Sequence, residues 1–299
     1  MPDLPDISSI FARKDGGSSG SGSSGSCPAV WNQISGELTA KFLSNGQCTP
    51  AARAAIRAVF HDCGAWNTAQ GAQGGCDGSL VLSDEVNRAE NNGLQEIGAY
   101  LKGLAKSYKV GVADMIVFAG SHAVVTCPGG PRVKTYIGRK DSSTGAPNGL
   151  LPDVRAPAED LYKLFQDKGF SAVDLAALLG AHSTSNQFHF DDSTSGAPQD
   201  STPGVWDVKY YSETTAPPKG VVVLPSDAKL AAHPTVGKEF KGFVGNAGKW
   251  NGKFADALAR MELFGSAGTS GMVDCTNALP STTNAKREMR GMPMFANRH

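Results

Sequence analysis

The chain has 299 residues, 40% of them hydrophobic, with 28 Lys and Arg against 28 Asp and Glu. That length fits one large or two modest domains with a sizeable buried core. Balanced charge provides no basic field for nucleic-acid phosphates, and no run approaches the roughly 20 apolar residues that span a bilayer, so a soluble globular protein without nucleic-acid or membrane partners is expected.

The N-terminus, Met1-Pro2-Asp3-Leu4-Pro5-Asp6, has neither the basic start nor the apolar core of a signal peptide. Residues 15–26 are almost entirely Gly and Ser, and the segment 1–26 is predicted to be disordered. Within it, Gly20-Ser21-Gly22-Ser23-Ser24-Gly25 matches a dinucleotide-binding spacing. It has no strand before it and no helix behind it, so it carries no function. Thr49 followed by Pro50 reads as an N-cap and first-turn proline, opening a helix that runs through Arg57 to about Cys63 with Ile56, Phe60 and Cys63 on one apolar stripe. Helices are predicted at 85–107, 113–125 and 158–168. Ser171 and Asp174 have the form of a capping box, announcing a helix that ends near His182, and two more follow at 234–246 and 251–264. Val221-Val222-Val223-Leu224 is too short and isolated for a sheet of any size. The class is mainly α with minimal β structure, and the long loops at 64–79, 126–157 and 186–226 require anchors.

Six cysteines, Cys27, Cys48, Cys63, Cys76, Cys127 and Cys275, occur without a Cys-x-x-Cys pair. This disfavours a zinc ribbon or a thioredoxin-type site. An even number without metal spacing points to as many as three disulfides and an oxidising compartment. The protein is therefore expected to be secreted, its signal peptide absent from this sequence. No Asn-x-Ser/Thr sequon occurs.

Arg57 and His61 stand at i and i+4 on the predicted helix, so a permanent cation and a proton acceptor project from one face. His182 closes the apolar run that starts at Leu175. Beside each histidine begins an oxygen-rich set: Asp62 with Gly75-Cys76-Asp77-Gly78-Ser79, and Ser183 with Asp200-Ser201-Thr202-Pro203-Gly204-Val205-Trp206-Asp207. Carboxylates, hydroxyls and backbone carbonyls in that mixture suit Ca²⁺.

Together Arg57-x-x-Phe60-His61-Asp62, Gly75-Cys76-Asp77-x-Ser79, Gly180-Ala181-His182-Ser183 and Asp200-Ser201-Thr202-Pro203-x-x-x-Asp207 resemble the plant, fungal and bacterial haem peroxidase superfamily, most closely its secreted fungal (class II) branch. The resemblance implies a two-lobed, mostly helical domain over 27–280, with a distal lobe at about 27–150, a proximal lobe at about 151–280 and a tail at 281–299. Haem b (protohaem IX) would lie between the lobes, with one Ca²⁺ on each side. It implies a monomer that reduces H₂O₂ to water and oxidises small phenolic or aromatic donors by one-electron steps. His182 would be the axial iron ligand, its basicity raised by Asp227. His61 would carry the peroxide proton between oxygens, and Arg57 would stabilise the developing charge. Asn91, with Glu85 behind it, would fix the tautomer of His61; Asn92 is the adjacent alternative. Phe60 would border the haem, and Pro152 the substrate access at its edge. The first calcium would take Asp62, Gly75, Asp77 and Ser79. The second would take Ser183, Asp200, Thr202, Val205 and Asp207. The implied disulfides are Cys27–Cys275 and Cys48–Cys127, as in fungal members, and Cys63–Cys76, as in plant secretory ones.

The chain departs from the family's specialised members. Positions matching their manganese-binding carboxylates are Pro50, Ala54 and Phe188, and Ala177 stands where ligninolytic members carry an exposed tryptophan. A generic, low-potential type is expected; Trp31, Trp66, Trp206 and Trp250 are conceivable electron relays but read first as packing residues. The competing readings are a non-catalytic haem-binding or interaction protein on the same scaffold, and a non-haem metal hydrolase using His61, Asp62 and His182.

Overall fold

The computed structural model describes residues 25–283. The expected disordered segment 1–26 and tail 281–299 therefore lie outside the described residues, apart from 25–26 and 281–283. Eleven α-helices carry the described chain. The first five are α1 (Val30–Phe42), α2 (Pro50–Cys63), α3 (Ser79–Leu82), α4 (Gln95–Tyr108) and α5 (Val112–Thr126). The other six are α6 (Ala158–Asp167), α7 (Ala172–Leu179), α8 (Lys209–Glu213), α9 (Pro225–Ala232), α10 (Val236–Lys241) and α11 (Ala247–Met261). Two antiparallel pairs of two-residue strands are the only sheets among the described residues: β1 (Leu43–Ser44) with β2 (Gln47–Cys48), and β3 (Tyr136–Ile137) with β4 (Val273–Asp274).

The first group of helices is built around α5, buried at every residue. Helices α1, α2 and α4 pack against it. At Gly120 of α5 a Cβ would lie 2.4 Å from the Val59 side chain, so glycine sets how closely α2 and α5 approach. The second group centres on α7, which packs on α6, α10 and α11. Its start follows the sequence: Ser171 accepts from the Asp174 amide while the Asp174 carboxylate accepts from the Ser171 amide. Where α7 ends, a Cβ on Gly180 would fall 2.3 Å from Trp250 Nε1 and 2.4 Å from the Tyr211 hydroxyl. The short 3₁₀ turn Gly180–Thr184 continues from there and carries His182.

Four differences from the sequence reading have physical causes. The helix predicted over 85–107 is two 3₁₀ turns, Glu85–Asn87 and Ala89–Asn91, followed by α4. Arg88 and Asn92 take extended ψ values and Gly93 has φ +88°, which together break the helix. Helix α1 had no predicted counterpart, and its N-cap, Ala29, has no capping side chain. Within the loop predicted over 186–226, α8 forms a single short stretch, and Pro225 at the end of that loop opens α9. The helix predicted over 234–246 is confined to α10, and that over 251–264 is shifted to α11.

Three disulfides, Cys27–Cys275, Cys48–Cys127 and Cys63–Cys76, use all six cysteines. The last ties the end of α2 to the loop before α3 across 13 residues. No single described helix is long and apolar enough to cross a membrane.

Candidate active site

On α2, the buried His61 has both ring nitrogens engaged. Its Nδ1 lies 2.6 Å from Asn91 Oδ1, and its Nε2 accepts from Arg57 Nε at 3.2 Å. Asn91 Nδ2 donates to the Glu85 carbonyl at 2.6 Å. Because a carbonyl only accepts, the Asn91 amide must turn its oxygen toward His61. That oxygen requires a proton on Nδ1, leaving the Nε2 lone pair as the basic site. Burial, and then the Arg57 charge, push the His61 pKa down to about 3, opposed by the Asn91 hydrogen bond. The Arg57 guanidinium is fixed in turn, Nη1 to the Asn92 carbonyl at 2.7 Å and Nη2 to the Glu90 carbonyl at 2.8 Å.

The part of Glu85 that meets Asn91 is its backbone carbonyl. Its buried carboxylate instead accepts from the Ala146 amide at 2.7 Å, anchoring the 126–157 loop. Asn92 contributes only its carbonyl, to Arg57. Phe60 meets the His61 ring edge-on at 5.5 Å and stacks on Phe165 at 6.3 Å.

In the second helix group, His182 Nδ1 lies 2.7 Å from Asp227 Oδ2. Asp227 is in the first turn of α9 but does not cap it; Leu224 is the N-cap residue. Burial would lower the His182 pKa, but the charge and hydrogen bond of Asp227 outweigh it and raise the pKa, while the Arg57 charge reaches the ring and lowers it. Nε2 of His182 has no hydrogen-bond partner among the described residues, and 32% of the side chain's surface is open. An imidazole held by a carboxylate on one nitrogen and free on the other could hold a haem iron through that free nitrogen.

The two oxygen-rich sets also assemble. Asp62 Oδ2 and Oδ1 accept from the Gly78 and Leu80 amides at 3.0 and 3.1 Å, and Asp77 Oδ1 accepts from the Ser79 amide at 3.0 Å. Gly75 and Gly78 have φ of +75° and +76°, and a Cβ at Gly75 would lie 2.4 Å from the Phe264 carbonyl. Burial and the neighbouring Asp77 charge push Asp62 up to about 8. In the other set, Thr202 Oγ1 donates to Asp207 Oδ2 at 2.8 Å and the Val205 amide to the Thr202 carbonyl at 2.9 Å. Asp200 is raised to about 7 by burial and the Asp207 and Glu213 charges, although the Thr202 amide opposes this. Ser183 Oγ and Asp200 Oδ2 are buried without a partner. Buried like charges and orphaned oxygens fit a hard cation such as Ca²⁺. No three His, Cys, Asp or Glu side chains converge among the described residues, so each set depends on hydroxyls and carbonyls beside its two carboxylates.

Pro152 is half-buried in a loop whose Leu150 carbonyl accepts from Lys168 Nζ at 2.6 Å. Phe188 is 54% exposed and Ala177 fully buried. Trp31, Trp206 and Trp250 are core residues, and Trp66 stacks on Phe264 at 4.4 Å. No sequence motif pointed to Gln199, whose Nε2 lies 3.5 Å from Asp227 Oδ2, or to Tyr210, whose ring meets His182 at 5.9 Å.

A family model described as peroxidase matches residues 34–246. The chain is 33% identical over 269 residues to a low-redox potential peroxidase of Taiwanofungus camphoratus, covering 84% of this chain and 77% of the relative. It is 31% identical to ligninase LG2 of Phanerodontia chrysosporium, covering 85% and 75%, and 30% identical to versatile peroxidase VPS1 of Pleurotus eryngii, covering 82% and 72%. With that match spanning both histidine environments, the chain belongs to the peroxidase family, as a mainly helical oxidoreductase acting on hydrogen peroxide.

Proposed function

We propose that this protein is a secreted, monomeric haem peroxidase that reduces H₂O₂ to water and oxidises small phenolic or aromatic donors one electron at a time. The observations that carry the reading are the Asn91–His61–Arg57 hydrogen-bond chain and the His182–Asp227 pair, whose second imidazole nitrogen is open. His182 Nε2 is the atom to hold the iron, and a haem bound there supplies the redox centre that takes up the oxidising equivalents of peroxide.

The remaining steps belong to this chain. His61 Nε2 accepts the proton from the near oxygen of H₂O₂, and its low pKa keeps it neutral for that task. It returns the proton to the far oxygen, so the group that departs is water. Arg57, pinned by two carbonyls, stabilises the negative charge as the O–O bond lengthens. Asp227 keeps His182 oriented and electron-rich. Phe60 packs beside His61, and Pro152 borders the access for donors.

We assign Asp62, Gly75, Asp77 and Ser79 to one Ca²⁺, and Ser183, Asp200, Thr202, Val205 and Asp207 to a second. The peroxidase domain is taken as 27–280, in distal and proximal lobes meeting near residue 150. Three disulfides support an extracellular location. Pro50, Ala54 and Phe188 offer no carboxylate for manganese, and the buried Ala177 no surface tryptophan, which favours small donors.

Stopped-flow reaction of the haem-loaded protein with H₂O₂ tests the assignment. Arg57→Leu and His61→Leu are each expected to retain the Soret band while the rate falls by roughly 10²-fold or more, the scale of a positioned acid–base or charge-stabilising group. Wild-type rates in both variants would reduce the protein to a haem-binding scaffold. A purified protein without a Soret band would remove the haem reading altogether.

A further inference from the structure

Asp227 is approached by more groups than His182. Its Oδ1 accepts from Ser226 Oγ at 3.0 Å, and its Oδ2, already 2.7 Å from His182 Nδ1, also receives Gln199 Nε2 at 3.5 Å. Gln199 is 3% exposed. Tyr210, in α8, packs against the His182 ring. Its ring is gripped edge-on by His182 at 5.9 Å, Tyr211 at 5.3 Å and Phe240 at 5.5 Å, so the hydroxyl has little freedom of position.

That hydroxyl is fully buried and has no hydrogen-bond partner. Its pKa is raised well above the ordinary tyrosine value, first by burial and then by the Asp227 charge, with Thr214 opposing. Thr214 Oγ1 donates to the Tyr210 carbonyl at 2.7 Å, and the His182 ring against which Tyr210 packs holds Asp227 on its Nδ1, so that carboxylate is an anionic acceptor in this part of the core. A buried hydroxyl left without a partner is costly to the fold.

We propose that Tyr210 and Gln199 are positioning residues that donate to Asp227 and thereby set how strongly His182 pushes electron density onto the iron. The inference rests on His182 being the axial haem ligand. Each donor withdraws negative charge from the carboxylate, so that it pulls less on the Nδ1 proton of His182. The imidazole then has less imidazolate character, the ferric state is less favoured, and the iron is easier to reduce. Deleting a donor has the opposite effect.

The test is the ferric/ferrous midpoint potential of the haem-loaded protein, together with the iron–imidazole stretching band of its ferrous form by resonance Raman. Tyr210→Phe deletes one oxygen and keeps the aromatic packing, Gln199→Leu removes the amide, and Asp227→Asn serves as reference. Both donor variants are expected to shift the potential downward and the stretch to higher frequency, the double variant furthest. Asp227→Asn should shift both readouts the other way, and adding Tyr210→Phe to it should produce no further downward shift. If Asp227→Asn behaves so while both donor variants keep wild-type values, this inference is overturned and the His182–Asp227 assignment stands. If Asp227→Asn also leaves both readouts unmoved, the axial assignment itself fails, and this inference with it.

Discussion

Asn91 decides which nitrogen of His61 carries its proton, and the decision is made by a backbone atom. The Glu85 carbonyl takes the Asn91 amide N–H, so only the amide oxygen is left to face the imidazole. The Nδ1 proton and the Nε2 lone pair follow from that single acceptor. Asn91→Leu is expected to keep the fold and the Soret band but to slow the peroxide reaction by roughly 10²-fold, the low end of what a positioned base contributes. Stopped-flow rates measure it, and an unchanged rate would mean that burial alone fixes the ring. The same substitution at Asn92 is expected to leave the rate near wild type, since its hydrogen bonds are made by backbone atoms, the carbonyl to Arg57 and the amide to the Ala89 carbonyl.

At the scale of the element, the loops matter as much as the helices. The 64–79 loop returns to the end of α2 through Asp62 and the Cys63–Cys76 bridge, a closure worth about 3 kcal/mol on chain-entropy grounds. His61 and His182 each stand next to a residue assigned to calcium, Asp62 and Ser183. Removal of Ca²⁺ by a chelator is therefore expected to leave buried carboxylates uncompensated, loosen α2 and the 180–184 turn, and lower both thermal stability and peroxide turnover. Calorimetry and turnover on a verified calcium-free sample check this; full stability and activity there would end the calcium assignment. Helices with local start signals were legible in the sequence, as at Thr49-Pro50 and at Ser171 with Asp174. Helix α1 was not, because its start has no capping side chain and its identity as a helix comes from packing on α5. The region 85–93 defeated periodicity because Arg88, Asn92 and Gly93 leave helical dihedrals to carry Asn91 beneath His61. Motifs revealed Arg57, His61 and His182. Tyr210 and Gln199 were invisible, since their neighbourhood arises only when α8, the preceding loop and α9 come together around the His182–Asp227 pair.

At the scale of the whole molecule, the two helix groups meet through polar as well as apolar contacts. Ser121 of α5 donates to Glu262 Oε1 at 2.6 Å, and Arg139 links Asp114 at 3.0 Å to the Glu262 carbonyl. Burial raises the Glu262 pKa from 4.5 to about 8, against the opposing effects of Ser121 and Arg139. Between those values the folded protein holds a proton that the unfolded chain releases, so the stabilisation present below about 4.5 is lost as pH rises toward 8. Glu262→Gln is expected to remove that dependence, making stability at pH 8 closer to that at pH 5, on the order of a few kcal/mol less sensitive. Urea unfolding at the two pH values measures the difference; identical slopes for both proteins would show that Glu262 is ionised in the fold. One further property follows from the Cys27–Cys275 bridge, which joins residues 248 apart. It makes nearly all of the described chain a covalent ring, so a single protease cut within an exposed loop opens the ring without releasing a fragment. Damage of that kind leaves one band under non-reducing electrophoresis and two after reduction, and the nicked enzyme keeps both halves of its active site in one molecule.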